Sequence, residues 1–168
     1  MKNPVIRALC IAACILLLIS LGWNIYAITN SGLTGAETFD CICLMLTAVF
    51  AIYYILAGAK KGEGTTYFRI FMVLYGFTVL EANFFFAELS SLVAMLNTLC
   101  FGCLSILFVA KNLGKKWSVA LSLVVVACAI EQMIVYFDVA TATNLLLALV
   151  ALLMVFAKYA DKAARGSK

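Results

Sequence analysis

The 168 residues are 66% apolar and 12% charged, with seven cysteines, no histidine and a net charge of +4. A soluble domain is about half apolar and about a quarter charged, and a small globule leaves much of its surface in water, so the solvent implied is lipid. The lack of His excludes imidazole metal sites and His-based triads, and the composition points to one polytopic membrane domain, residues 1–168, with no soluble domain attached.

A helix crosses the hydrocarbon with about 20 mostly apolar residues. Six segments meet this requirement: roughly 7–29, 38–59, 67–88, 90–110, 117–138 and 141–159. The expected fold is an all-α integral membrane protein of six transmembrane helices, arranged as three antiparallel hairpins. Its single proline, Pro4, precedes the first helix, so no span is expected to carry a proline kink.

The first segment follows a basic start, Lys2 and Arg7, as a signal peptide would. Its apolar run, Ala8 to Ile28, is too long for such a peptide, and no small-x-small cleavage site follows, so it is expected to stay as a span. Ala8 and Ala12 offer a small-residue face to another helix, Cys10 and Cys14 read as packing, and Trp23 and Tyr26 as interface anchors. Asn24 is the polar residue of its outer half.

The second segment opens near Cys41 and Cys43, after a loop holding Asn30-Ser31-Gly32 and Gly35. The third holds Glu81, Asn83 and, seven residues after Glu81, Glu88. The fourth contains Cys100-Phe101-Gly102-Cys103, with Asn97 and Thr98 before it. The fifth starts at the interfacial Trp117 and repeats the pattern of the third, with Glu131, Gln132 and Asp138. A shift of fifty residues maps Lys61 onto Lys111, Glu81 onto Glu131 and Glu88 onto Asp138. A duplicated hairpin would produce this match, and so would any two hairpins of spanning length. The sixth segment carries Asn144 near its start and basic residues after its end.

All twelve Lys and Arg fall on one side of this arrangement. Lys2 and Arg7 precede the first helix; Lys60, Lys61 and Arg69 join the second to the third. Lys111, Lys115 and Lys116 join the fourth to the fifth, and Lys158, Lys162, Arg165 and Lys168 follow the sixth. The opposite loops hold Glu37, Asp40, Glu88 and Asp138 without a positive residue. The positive-inside rule then puts both termini in the cytoplasm of a plasma-membrane protein. The basic excess is accounted for by topology and lipid headgroups, and these short loops lack the aromatic interleaving of a nucleic-acid site, so no nucleic-acid partner is expected.

Charged groups in the bilayer cost about 2.5–3.5 kcal/mol each on insertion scales and normally face a bundle interior or water. A gap of seven residues is close to two helical turns, so Glu81 with Glu88, and Glu131 with Asp138, form two carboxylate ladders leading inward from the outer surface. Together with Asn24, Asn83 and Gln132 they suggest an outward-facing pocket that binds or transports a small solute, cationic or polar. In the bland alternative both glutamates are protonated and bond across helices, fixing register.

Two other classes stay open. One is a quinone-linked thiol oxidoreductase using Cys41 or Cys43 with Cys100 and Cys103, although no helix start or flanking charge activates that pair. The other is a non-catalytic interaction or assembly protein, homo-oligomeric or bound to a partner membrane subunit. No nucleotide-binding, zinc-protease or hydrolase motif occurs, so an enzyme is the less favoured class, and the sequence specifies no cofactor or metal.

Overall fold

The computed structural model describes residues 4–61, 64–86, 91–110 and 113–166; within these, the side chains of 36, 58–61, 64–67, 81–86, 91, 161 and 164–166 are outside the described set. All regular structure among the described residues is helical. The elements are α1 (Pro4–Asn30), α2 (Gly35–Lys61), α3 (Gly64–Phe86), α4 (Ser91–Val109), α5 (Lys115–Val135) and α6 (Val139–Gly166).

Five of the six are long and apolar enough to cross a membrane: Pro4–Asn30, Glu37–Ala57, Leu92–Val109, Lys115–Val135 and Val139–Ala160. The described apolar run of α3, Phe68–Leu80, is shorter than a span. The outside of the bundle is hydrocarbon as well, with Ile11, Ile15, Leu18, Ile19, Phe50, Leu99 and Leu123 all exposed. A water-soluble monomer rarely carries so continuous an apolar surface, whereas lipid solvates it.

Sequence chemistry sets the helix ends. Pro4 is the first residue of α1, where its missing N–H would have had no helical partner anyway. After α1, Gly32 adopts φ 55°, a left-handed conformation that only glycine takes without strain. Thr34 and Glu37 then form a reciprocal cap on α2. The Glu37 Oε2 accepts from the Thr34 N–H and hydroxyl, each at 2.8 Å, and the Glu37 N–H donates to Thr34 Oγ1 at 3.4 Å.

Helix α5 stops at Val135, three residues earlier than its apolar pattern suggests, because Tyr136 turns extended at φ −143° and ψ 95°. Asp138 then opens α6. Its Oδ1 accepts from the Val139 N–H, and its own N–H donates to Thr141 Oγ1 at 3.0 Å. Asp138 is thus a capping residue, not the outer rung of a ladder borne on α5.

Consecutive helices pack on one another, as the expected hairpins require. The most extensive interface, however, joins α1 to α6 and closes the bundle. Helix α6 is the hub, since it also meets α5, α3 and α2. It can do so because its buried face is rich in small residues, including Ala148, Ala151 and Ala157 beside Val150 and Val155. In lipid, burying apolar surface between helices gains little over exposing it to acyl chains, so this close fit is what holds them.

Replacing Thr34 with Ala should destabilise the protein by about 1 kcal/mol, the usual worth of an N-cap hydroxyl. Equilibrium unfolding in mixed micelles checks this, with Thr34→Ser expected to restore wild-type stability.

Candidate functional site

The buried face of α5 runs through Ser118, Ser122, Val125, Cys128, Ala129 and Gln132, at the three- and four-residue spacing of one helical stripe. That stripe delivers the Gln132 amide, 2% exposed, into the core. Gln132 Nε2 donates to Asn97 Oδ1 of α4 at 2.7 Å. Gln132 Oε1 accepts from Asn144 Nδ2 of α6 at 2.5 Å, and Asn144 Oδ1 accepts from the Tyr75 hydroxyl of α3 at 2.6 Å. Tyr75 is fully buried and also donates to the Asn144 carbonyl at 3.1 Å. Four helices are therefore joined by one directional chain, running from a phenol through two amides to a third.

A second group lies beside it on α6. Asn24 of α1, fully buried, donates through Nδ2 to Thr143 Oγ1 at 2.9 Å and to the Ser20 carbonyl at 2.8 Å. Among the described residues, its Oδ1 and the Ser20 hydroxyl have no hydrogen-bond partner. A buried polar atom left unpaired costs about 1–3 kcal/mol, so these two atoms mark where another hydrogen-bonding group would be held most readily. Helix α2 contributes Asp40, 2% exposed, to the buried set.

Most of these residues lie toward one set of helix ends, while Tyr75 sits at the midpoint of α3. Asn24 lies about 9 Å from the end of α1, Asn97 about 9 Å from the start of α4, and Asn144 about 8 Å from the start of α6. Gln132 is about one turn from the end of α5, and Tyr75 is the deepest member. Toward the opposite end the core is mostly hydrocarbon: Ala13, Leu17, Ile55, Phe68, Phe71, Leu107 and Val155. The polar groups there include Ser122, which donates to the Val119 carbonyl of its own helix at 2.9 Å, and Tyr159, whose hydroxyl pairs with Ser118 Oγ at 2.7 Å and donates to the Leu113 carbonyl at 2.6 Å.

Of the residues singled out from sequence, Asn24 and Gln132 reach this layer. Asn97 and Asn144, also read as outer-half polar groups, join them. Glu131 does not. It is exposed on α5 among Leu123, Val124, Ile130 and Ile134, because its neighbour Gln132 occupies the inward position and successive residues turn by about 100°. Glu81 and Asn83 lie in α3, and their side chains are outside the described residues, as is Glu88. Tyr75, Thr143, Ser20 and the burial of Asp40 escaped the sequence reading. For Asp40 a signal existed: with Leu44, Thr47, Ala51 and Ile55 it forms a single buried stripe at helical spacing.

The cysteines separate into unrelated places. Among the described residues the backbones of α2 and α4 do not come together, so Cys41 and Cys43 are out of disulfide reach of Cys100 and Cys103, contrary to the pairing the redox alternative required. All seven are free thiols. Cys100 and Cys103 are buried in α4, and Cys100 Sγ lies 3.8 Å from the Val125 carbonyl of α5. Among the described residues no group of Cys, Asp or Glu is arranged to hold a metal ion.

Compared with family models, curated proteins and solved structures, the chain matches none.

Gln132→Leu removes the centre of the chain and strands Asn97 Oδ1 and Asn144 Nδ2. It should cost about 1–3 kcal/mol, with Tyr75→Phe costing less because only one hydroxyl is lost. Unfolding titrations in mixed micelles, followed by far-UV circular dichroism, measure both.

Proposed function

We propose that this is a six-span protein of the plasma membrane, with both termini in the cytoplasm, that binds a small polar solute from the outer side. The orientation follows from the positive-inside rule, since every Lys and Arg belongs to one set of helix ends. On that orientation the amide layer lies in the outer half of the bundle.

One observation carries the reading: the buried layer of amides, hydroxyls and a carboxylate contributed by all six helices, with Ser20 Oγ and Asn24 Oδ1 left unpaired. Polar groups in membrane spans are expensive and face a site or a partner group, and purely structural pairing would leave no orphan atoms. Asn24, Gln132, Asn97 and Asn144 are the proposed ligands. Amides donate and accept at once, which suits a solute with both kinds of group. Glu81 and Asn83, on the outer part of α3, are proposed to complete the site.

A second reading is favoured by Glu131. A carboxylate on an otherwise apolar, lipid-exposed face is the kind of group that a neighbouring subunit would cover, as an assembly protein requires.

Reconstituted protein, challenged with a panel of small cationic and neutral polar solutes, should bind at least one. Asn24→Leu and Gln132→Leu should each weaken that binding about tenfold or more, as loss of a hydrogen bond to a charged group does. Glu131→Gln should leave solute affinity unchanged. Failure of the whole panel, or equal affinity in all variants, rejects solute binding. A change in oligomeric mass on Glu131→Gln alone supports assembly instead.

A further inference from the structure

Helix α3 is recessed between α2 and α4, which do not touch each other. Of its described side chains only Phe77 is largely exposed, while Gly76 is buried and contributes no side chain to the surface. The result is a cleft in two adjoining parts. The upper, about 210 Å³, is walled by Met72, Val73, Gly76, Leu80, Phe101 and Ser105; the lower, about 390 Å³, by Phe50, Tyr54, Arg69 and Ile70. Val73 and Phe108 line both, so the parts adjoin along α3.

This cleft has a length, a polarity and a charged end. From Arg69 to Leu80 the helix rises about 16 Å, close to the roughly 15 Å depth of one leaflet's hydrocarbon. The lining is almost wholly apolar except at the bottom, where Arg69 stands half-buried with the Tyr54 side chain beside the cleft. None of the described hydrogen bonds or ion pairs engages Arg69. Lys158 is near enough to interact with it electrostatically, and Lys162 with Lys158 in turn, so the charge gathered at this end is positive. A planar guanidinium offers paired donors matched to phosphate oxygens.

We propose that the cleft between α2, α3 and α4 is a binding site for one anionic phospholipid, its phosphate on Arg69 and one acyl chain lying along α3 as far as Leu80. The apolar walls take the chain, and Arg69 takes the phosphate. The neighbouring lysines select a headgroup with net negative charge, because a zwitterionic headgroup brings its own cation into the same field. Gly76 leaves room for the chain: a Cβ added there meets only the Phe101 ring, at 3.9 and 4.0 Å, so a larger side chain would extend into the cleft without disturbing the backbone.

Native mass spectrometry of the whole protein in mild detergent tests this, with phosphatidylglycerol and phosphatidylcholine of identical chains as probes. The wild type should retain a single phosphatidylglycerol, with affinity about tenfold above that for phosphatidylcholine. Arg69→Gln should abolish that preference, and Gly76→Leu should weaken both lipids. Lys116→Gln removes a charge from the same set of helix ends, away from the cleft, and should change neither. Equal affinity of the wild type for the two lipids overturns the proposal. So does loss of preference in Lys116→Gln, which would mean surface charge alone, or displacement by millimolar inorganic phosphate, which would mean a site for the free anion. The wild-type preference and the Gly76→Leu variant decide the matter even if Arg69→Gln does not fold.

Discussion

A buried amide must find partners for both its donors and its acceptor, and Gln132 meets this constraint by donating to Asn97 and accepting from Asn144. The rest of the polar layer follows from that choice. Asn144 must then offer its oxygen to a donor, which Tyr75 supplies from α3. In hydrocarbon a single interhelical hydrogen bond averages about 0.6 kcal/mol, so the chain contributes less as bulk stability than as register. It fixes the rotation of four helices, because turning any one would strand a partner.

That constraint divides the bundle. At one end the core is mostly closed by aliphatic and aromatic side chains around the alanine-rich face of α6. At the other it is held by polar groups drawn from every helix. A bundle needing only stability could fill both ends with hydrocarbon, as replacing buried polar sets by well-packed apolar ones is often neutral or better. The retained amides, and the orphan oxygens of Ser20 and Asn24, therefore argue for a use beyond packing. The positive residues gather at the opposite helix ends, where Lys158 lies near enough to both Arg69 and Lys162 to interact with them electrostatically.

The helical class and five spans were legible in the sequence, because hydrocarbon thickness sets a length that composition alone reveals. Helix ends were less so. Asp138 read as a carboxylate on the fifth helix, whereas turn chemistry at Tyr136 ends that helix early and Asp138 caps the next. The buried polar layer was half legible. Asn24 and Gln132 are amides within apolar runs and both are buried, but adjacent Glu131 and Gln132 cannot both face inward. The stripe Val125, Cys128, Ala129 and Gln132 settles which does. Tyr75 could not be found this way, since tyrosine in a span reads equally well as packing or anchor, and its partner Asn144 lies 69 residues away. The cysteine pairing failed for a tertiary reason: helices two apart in sequence need not touch, and α3 separates α2 from α4.

On the proposed function, a solute reaches the amide layer from the outer surface while the opposite half of the core is sealed. Thiol accessibility tests it most directly, in a variant whose seven cysteines are first replaced by alanine or serine. Single cysteines at Asn97 and Asn144 should react with a membrane-impermeant maleimide added outside intact cells, and one at Ala151, in the apolar half, should not. Protection of Asn97→Cys and Asn144→Cys from outside, or their labelling only from the cytoplasmic side, would contradict the account.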